Sequence, residues 1–208
     1  MKRRPISRRG FLKGAGGVAA GGALSAPASS APTPEAAKAV FPSPRVRGEV
    51  EVELSLNGAA QKVTVEPRTT LLSALRHRVE PALTGTKLVC DGGSCGACTV
   101  IIDGEPRYSC MTLALDAVGR DVRTVEGLSE GQELSPVQQA FWEEDALMCG
   151  FCTPGFVMSV TACLEENPAA DDAEVRRACS GNLCRCGTYP HIFRAAQKAG
   201  QRMQGEER

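Results

Sequence analysis

Eight of the ten cysteines in this 208-residue chain fall into two sets of four. The first set is Cys90, Cys95, Cys98 and, further along, Cys110. Its C-x4-C-x2-C spacing with a distant fourth cysteine is the plant-type [2Fe–2S] pattern. Iron in such a cluster takes soft, anionic sulfur as its ligand. Gly92, Gly93 and Gly96 suit a loop that wraps a cluster and brings backbone N–H groups close to sulfur, because glycine reaches φ > 0 without a clash. Amide contacts of that kind help set the reduction potential. The second set is Cys149 and Cys152, answered by Cys184 and Cys186. Zinc sites favour pairs two to four residues apart, so the Cys184-Arg185-Cys186 pair suits zinc poorly. Spacing alone favours a second cluster, with zinc the next choice.

The surrounding pattern shows what must hold these cysteines. Val50, Val52, Leu54 and Leu56 alternate with polar residues, as in a half-buried strand. Asn57-Gly58 suits a tight hairpin, and Gln61–Val65 returns as a second strand. Thr69 or Thr70 caps a helix with Leu71, Leu72, Leu75 and Val79 on one face. Thr99–Ile102 and Asp121–Val125 read as further strands, with Asp103-Gly104 a second turn. Beyond these the periodicity turns helical. Ser135-Pro136 with Gln138 forms a capping box, and Val137, Ala140, Phe141 and Leu147 make the buried stripe that follows. Thr153-Pro154 opens a helix directly after Cys152, and Asn167-Pro168 ends it. Asp171 and Glu174 make another capping box, and Tyr189-Pro190 opens a last helix just past Cys186. Positive helix ends beside the second set would favour an anionic cluster. Cys163 and Cys179 lie among apolar residues and read as core thiols. His77 and His191 read as structural, and no phosphate-binding glycine loop is present.

Charge is uneven along the chain. Residues 1–28 hold six basic residues and no acidic one, although the chain as a whole is neutral. Without them the remainder is acidic, with few aromatics and no nucleic-acid footprint. No apolar run is long enough for a transmembrane segment. A basic head with Arg8-Arg9-Gly-Phe-Leu, a Gly/Ala-rich middle and Ala26-Pro-Ala28 make residues 1–28 a signal peptide of the twin-arginine kind. Residues 29–47 are a Pro/Ala-rich linker. Export with ten cysteines would ordinarily suggest disulfides. The twin-arginine route carries folded proteins, so clusters can be inserted in the reducing cytosol before transport to the periplasm.

Four stretches carry a resemblance: Gly85–Cys90, Cys95–Val100, Cys149–Gly155 and Gly181–Thr188. In this order they resemble the small iron–sulfur subunit of the molybdenum hydroxylases, the xanthine oxidase and aldehyde oxidoreductase family. The resemblance covers roughly Gly48 to Gly200. It implies an α+β fold, with an N-terminal β-grasp [2Fe–2S] ferredoxin-like domain (residues 48–124) and a C-terminal four-helix [2Fe–2S]-binding domain (residues 125–200) ahead of a tail (201–208). It implies two [2Fe–2S] clusters, on Cys90, Cys95, Cys98 and Cys110 and on Cys149, Cys152, Cys184 and Cys186. No catalytic residue is expected on this chain. It would pass electrons from molybdopterin on a large partner subunit to an outside acceptor, a FAD subunit or a cytochrome c, during oxidation of an aldehyde or N-heterocycle. Cys186 would lie against the pterin. The family's usual Gln before Cys-Gly-Phe-Cys, a pterin contact, is Met148 here, and a thioether offers no donor. A free-standing exported two-cluster ferredoxin is the alternative reading, and a disulfide or zinc scaffold a more distant one.

Overall fold

The computed structural model describes residues 46–129 and 131–205. The signal and most of the linker read from the sequence lie outside these residues. The chain opens with a hairpin of β1 (Val50–Leu56) and β2 (Ala59–Val65), paired from Val50↔Val65 to Leu56↔Ala59. Its turn is Asn57-Gly58, with φ of 52° and 78°, the paired positive values that a two-residue hairpin turn demands. Helix α1 (Leu71–His77) follows, and Thr70 is its cap, accepting from the Ser73 N–H at 3.2 Å. Leu71, Leu72, Ala74 and Leu75 are buried along α1. Val79 is also buried but lies past the helix end.

After the first cysteine loop come β3 (Thr99–Ile102) and β4 (Glu105–Tyr108), then β5 (Asp121–Arg123). The sheet order is β2-β1-β5-β3-β4, with β5 parallel to β1 and antiparallel to β3. All four residues of β3 are buried. Val100 and Ile102 join the core under α1, whereas Ile101 packs with Met158 and Ala162 from a later helix. Covering both faces turns an alternating strand into a continuous apolar one.

The strand expected over 121–125 stops at Arg123, and Val125–Leu128 forms a 3-10 turn instead. Asn57 explains the early stop. Its Oδ1 accepts from the Thr124 N–H at 2.8 Å and its Nδ2 donates to Thr124 Oγ1 at 3.1 Å, which takes the backbone group a longer strand would pair.

Four helices complete the chain: α2 (Pro136–Glu143), α3 (Thr153–Glu166), α4 (Asp172–Ala178) and α5 (Tyr189–Met203). Both expected capping boxes are present, Ser135 with Gln138 and Asp171 with Glu174. Phe156, Val160, Leu164, Ile192, Ala195 and Ala199 form the centre of their core. Leu147 does not extend the α2 stripe. The helix ends at Glu143, Asp145 turns the chain at φ 51°, and Ala146 is buried in its place while Leu147 is 40% exposed. Among the described residues no helix is long and apolar enough to cross a membrane.

Candidate metal centres

The first cysteine set is assembled by a loop and a hairpin. Cys90 and Cys95 lie in the loop before β3, while Cys98 abuts β3 and Cys110 sits in the 3-10 turn Ser109–Met111. The pairing Thr99↔Tyr108 brings Cys98 and Cys110 side by side. Ser109 ties them further, its Oγ donating to the Cys98 carbonyl at 2.8 Å. Cys98 and Cys110 are buried with Leu72 and Tyr108, and Cys90 is exposed at the other side.

The second set is assembled by two helix starts. Cys152 is the N-cap residue of α3, with Cys149 in the turn before it. Cys184 and Cys186 precede Thr188, the N-cap of α5. Tyr189 of α5 accepts the Cys184 N–H on its phenol oxygen at 2.9 Å and packs edge-on against Phe156 of α3. One aromatic pair thus holds the two helix starts beside each other. Both present positive dipole ends to the thiols.

Within each set the sulfurs lie close enough to perturb one another, Cys90 with Cys95 and Cys110 with Cys98 in the first, Cys152 with Cys184 and Cys186 with Cys149 in the second. Four thiols are the ligand demand of one [2Fe–2S] unit. Among the described residues no three Cys, His, Asp or Glu side chains gather where a single metal ion would sit.

The pairs are electrostatically unlike. Amide N–H groups, Gly92 first, with the Cys95 thiol and the Ser94 N–H, bring Cys90 down to about 6. Burial, helped by the neighbouring Cys98, pushes Cys110 up to about 11 and, helped by Cys184, pushes Cys152 up to about 12. Burial opposes ionisation of Cys184, but the hydroxyl and amide of Thr188, each 3.4 Å from its sulfur, outweigh it and bring it to about 7. Cys163 and Cys179 stand apart from both sets, and burial raises both, Cys179 to about 12. They are the core thiols the sequence suggests. His77 is exposed at the end of α1, and His191 Nδ1 lies 2.9 Å from the Glu144 carbonyl, a link between α5 and the end of α2.

Around the sets lies an exposed apolar surface. Met148 is 66% exposed, Phe151 53% and Leu183 57%, and each neighbours a cysteine in sequence. Lys87 lies over the Phe151 ring at 6.0 Å, and the next two residues, Leu88 and Val89, are exposed as well.

Three residues of the site were given no individual role from the sequence: Tyr108, and Asn182 and Thr188 within the Gly181–Thr188 stretch. Tyr108 reaches Gly181, Asn182 reaches Gly96, and Thr188 holds Cys184. Thr188, four residues after Cys184 and at a helix start, is the one that position alone would have exposed.

Comparison with known proteins agrees with this geometry. Residues 54–129 match the 2Fe-2S iron-sulfur cluster binding domain family, and residues 124–197 the [2Fe-2S] binding domain family. Residues 5–25 match the twin-arginine translocation pathway signal sequence. The chain thus carries two [2Fe–2S] clusters and is exported to the periplasm by that route. It is 51% identical over 158 residues to the nicotine 6-hydroxylase small subunit of Paenarthrobacter nicotinovorans, covering 76% of this chain and 93% of that one. It is 36% identical over 212 residues to the aldehyde oxidoreductase iron-sulfur-binding subunit PaoA of Escherichia coli O157:H7, covering 93% of this chain and 88% of that one. The crystal structure of quinoline 2-oxidoreductase from Pseudomonas putida 86 superposes with a TM-score of 0.70 at 44% identity, over 76% of this chain and 99% of that chain. The chain is an electron-transfer subunit that works beside a large partner chain, and it belongs to the small iron–sulfur subunits of the molybdenum hydroxylases.

Proposed function

We propose that Cys90, Cys95, Cys98 and Cys110 ligate one [2Fe–2S] cluster, within a ferredoxin-like domain of residues 48–124. Cys149, Cys152, Cys184 and Cys186 ligate the other, within a helical domain of residues 125–200. The observation that carries this assignment is how the fold gathers each set: the Thr99↔Tyr108 pairing sets Cys98 beside Cys110 after the glycine loop of Cys90 and Cys95, and the starts of α3 and α5, tied through Tyr189, bring Cys149 and Cys152 to Cys184 and Cys186. A cluster held by these residues would supply one-electron chemistry. Thr188 and the glycine-loop amides stabilise the thiolates, and the helix starts at Cys152 and Thr188 add positive potential.

Cys186 and Met148 face the partner's molybdopterin, and Leu183 and Phe151 pack on the same partner chain. Their exposure next to the second cysteine set supports this orientation. Cys90, exposed in the first set, marks the side from which electrons leave to a FAD subunit or a cytochrome c. The substrate oxidised on the partner is an aldehyde or an N-heterocycle. The relatives' names, a nicotine hydroxylase and an aldehyde oxidoreductase, support both classes.

Electron paramagnetic resonance of the reduced complex tests the ligand assignment. Cys98→Ser removes one of two distinct rhombic signals and Cys152→Ser removes the other. A silent spectrum from iron-loaded wild type, or one signal lost in both variants, refutes it. Met148→Gln tests the pterin contact: the added amide tightens retention of the molybdenum cofactor, and unchanged retention and turnover would remove any role for this position.

A further inference from the structure

Asn182 is 4% exposed, and its side-chain amide is fully partnered by three elements. Its Nδ2 donates to the Gly96 carbonyl at 3.0 Å and lies 3.4 Å from Thr99 Oγ1, while its Oδ1 accepts from Ser159 Oγ at 2.9 Å. Gly96 belongs to the first cysteine loop, Thr99 to β3 and Ser159 to α3. The next residue, Leu183, donates its backbone N–H to the Cys95 carbonyl at 2.9 Å. Cys95 is in the first set, and Leu183 adjoins Cys184 of the second. One hydrogen bond thus joins the backbone of one set to that of the other.

Gly96 offers no side chain of its own where the two loops meet. A Cβ at Gly96 would fall 2.6 Å from both Asn182 Nδ2 and the Gly181 carbonyl, at a φ of 68° that already suits glycine. Packing alone asks for no amide at this buried position, and desolvating one costs free energy unless every group is paired. What the amide does, and an apolar side chain of its size does not, is fasten the Gly96 loop to the segment leading into Cys184.

We propose that Asn182 is a positioning residue for electron transfer between the two cysteine sets. It keeps the Gly96 and Leu183 segments in the register that maintains the Leu183 N–H to Cys95 carbonyl bond. The electron lost on one side is the electron gained on the other, and no bond breaks and no proton moves. Electronic coupling falls steeply with separation and passes better through a hydrogen bond than across an open gap, so a small shift of either loop slows the transfer. The inference rests on the ligand assignment proposed above.

The test uses the complex with its large partner chain, comparing wild type with Asn182→Asp and Ser159→Ala. Asn182→Asp keeps the size and the acceptor towards Ser159 but sets an oxygen against the Gly96 carbonyl. Ser159→Ala removes one Asn182 partner and leaves both bonds between the loops. Three quantities are read: iron content, hydrogen exchange of the peptide containing Leu183, and the rate of electron redistribution after flash photoreduction, followed by rapid-freeze paramagnetic resonance. Asn182→Asp keeps its iron, exchanges faster at Leu183 and slows redistribution. Ser159→Ala stays close to wild type. Full iron with exchange and rate unchanged in Asn182→Asp overturns the proposal. Loss of iron from Asn182→Asp also overturns it, since the residue would then serve assembly. A wild-type complex lacking two iron–sulfur signals refutes the ligand assignment instead, whatever the Asn182 variants do.

Discussion

Tyr108 Oη donates to the Gly181 carbonyl at 3.1 Å, joining β4 to the turn after α4. The approach is so close that a Cβ at Gly181 would sit inside the phenol group. Gly181→Ala is therefore destabilising by overpacking, about 1–3 kcal/mol. Tyr108→Phe removes the atom that would clash, so the double variant recovers part of the loss. Thermal unfolding of both single variants and the pair decides it: simple additivity would mean that the two residues do not meet.

Cysteines inside and outside the two sets respond differently to serine. Cys110→Ser removes one iron–sulfur signal and leaves the other. Cys179→Ser leaves both, because Cys179 is buried in the helical core and paired with no cysteine of either set. It costs stability all the same, about 1–3 kcal/mol for a buried hydroxyl without a partner. Stripping iron with a chelator lowers the melting temperature of wild type, since a ligand bound only by the folded state stabilises it. Iron content, paramagnetic resonance and calorimetry on the same samples check all three outcomes.

Acid loosens the tie between α2 and α5. Arg202 foremost, then Gln139 and Lys198, hold Glu143 down at about 2 against its ordinary 4.5. A depressed carboxyl stabilises the fold above its unfolded value and loses that contribution as pH falls through the folded one. Glu143→Gln therefore speeds hydrogen exchange along α2 at neutral pH. The difference from wild type shrinks below 4.5 and vanishes near 2. An equal difference at every pH would assign the effect to shape instead of charge.

Export depends on the paired arginines at the N-terminus. Replacing Arg8 and Arg9 together by lysine keeps the charge and alters the signal, so this chain stays in the cytoplasm and holds its partner's activity there. Fractionation with an activity stain reads the outcome, and partner activity still outside would show a separate route.

Much of this protein was legible in its sequence because the relevant physics is local. Cysteine spacing marked two candidate sets, and the capping boxes at Ser135 and Asp171 placed helix starts to the residue. Asn57-Gly58 and Asp103-Gly104 marked two hairpins through their tolerance of positive φ. Where such readings failed, a distant residue or an unmarked turn intervened. Asn57 ended the strand expected through Val125, and the turn at Asp145 moved Leu147 out of the α2 stripe.

What only the tertiary structure decided is how the two sets face each other. Cys95 and Leu183 are far apart in the chain, and their hydrogen bond, the Asn182 clamp and the Tyr108–Gly181 contact exist only once β3 and β4 pack against α3. Ligand spacing is written by short-range geometry, since a few residues must reach one cluster. The relation between two clusters depends on side chains and carbonyls brought together by packing, and no local pattern encodes such pairs.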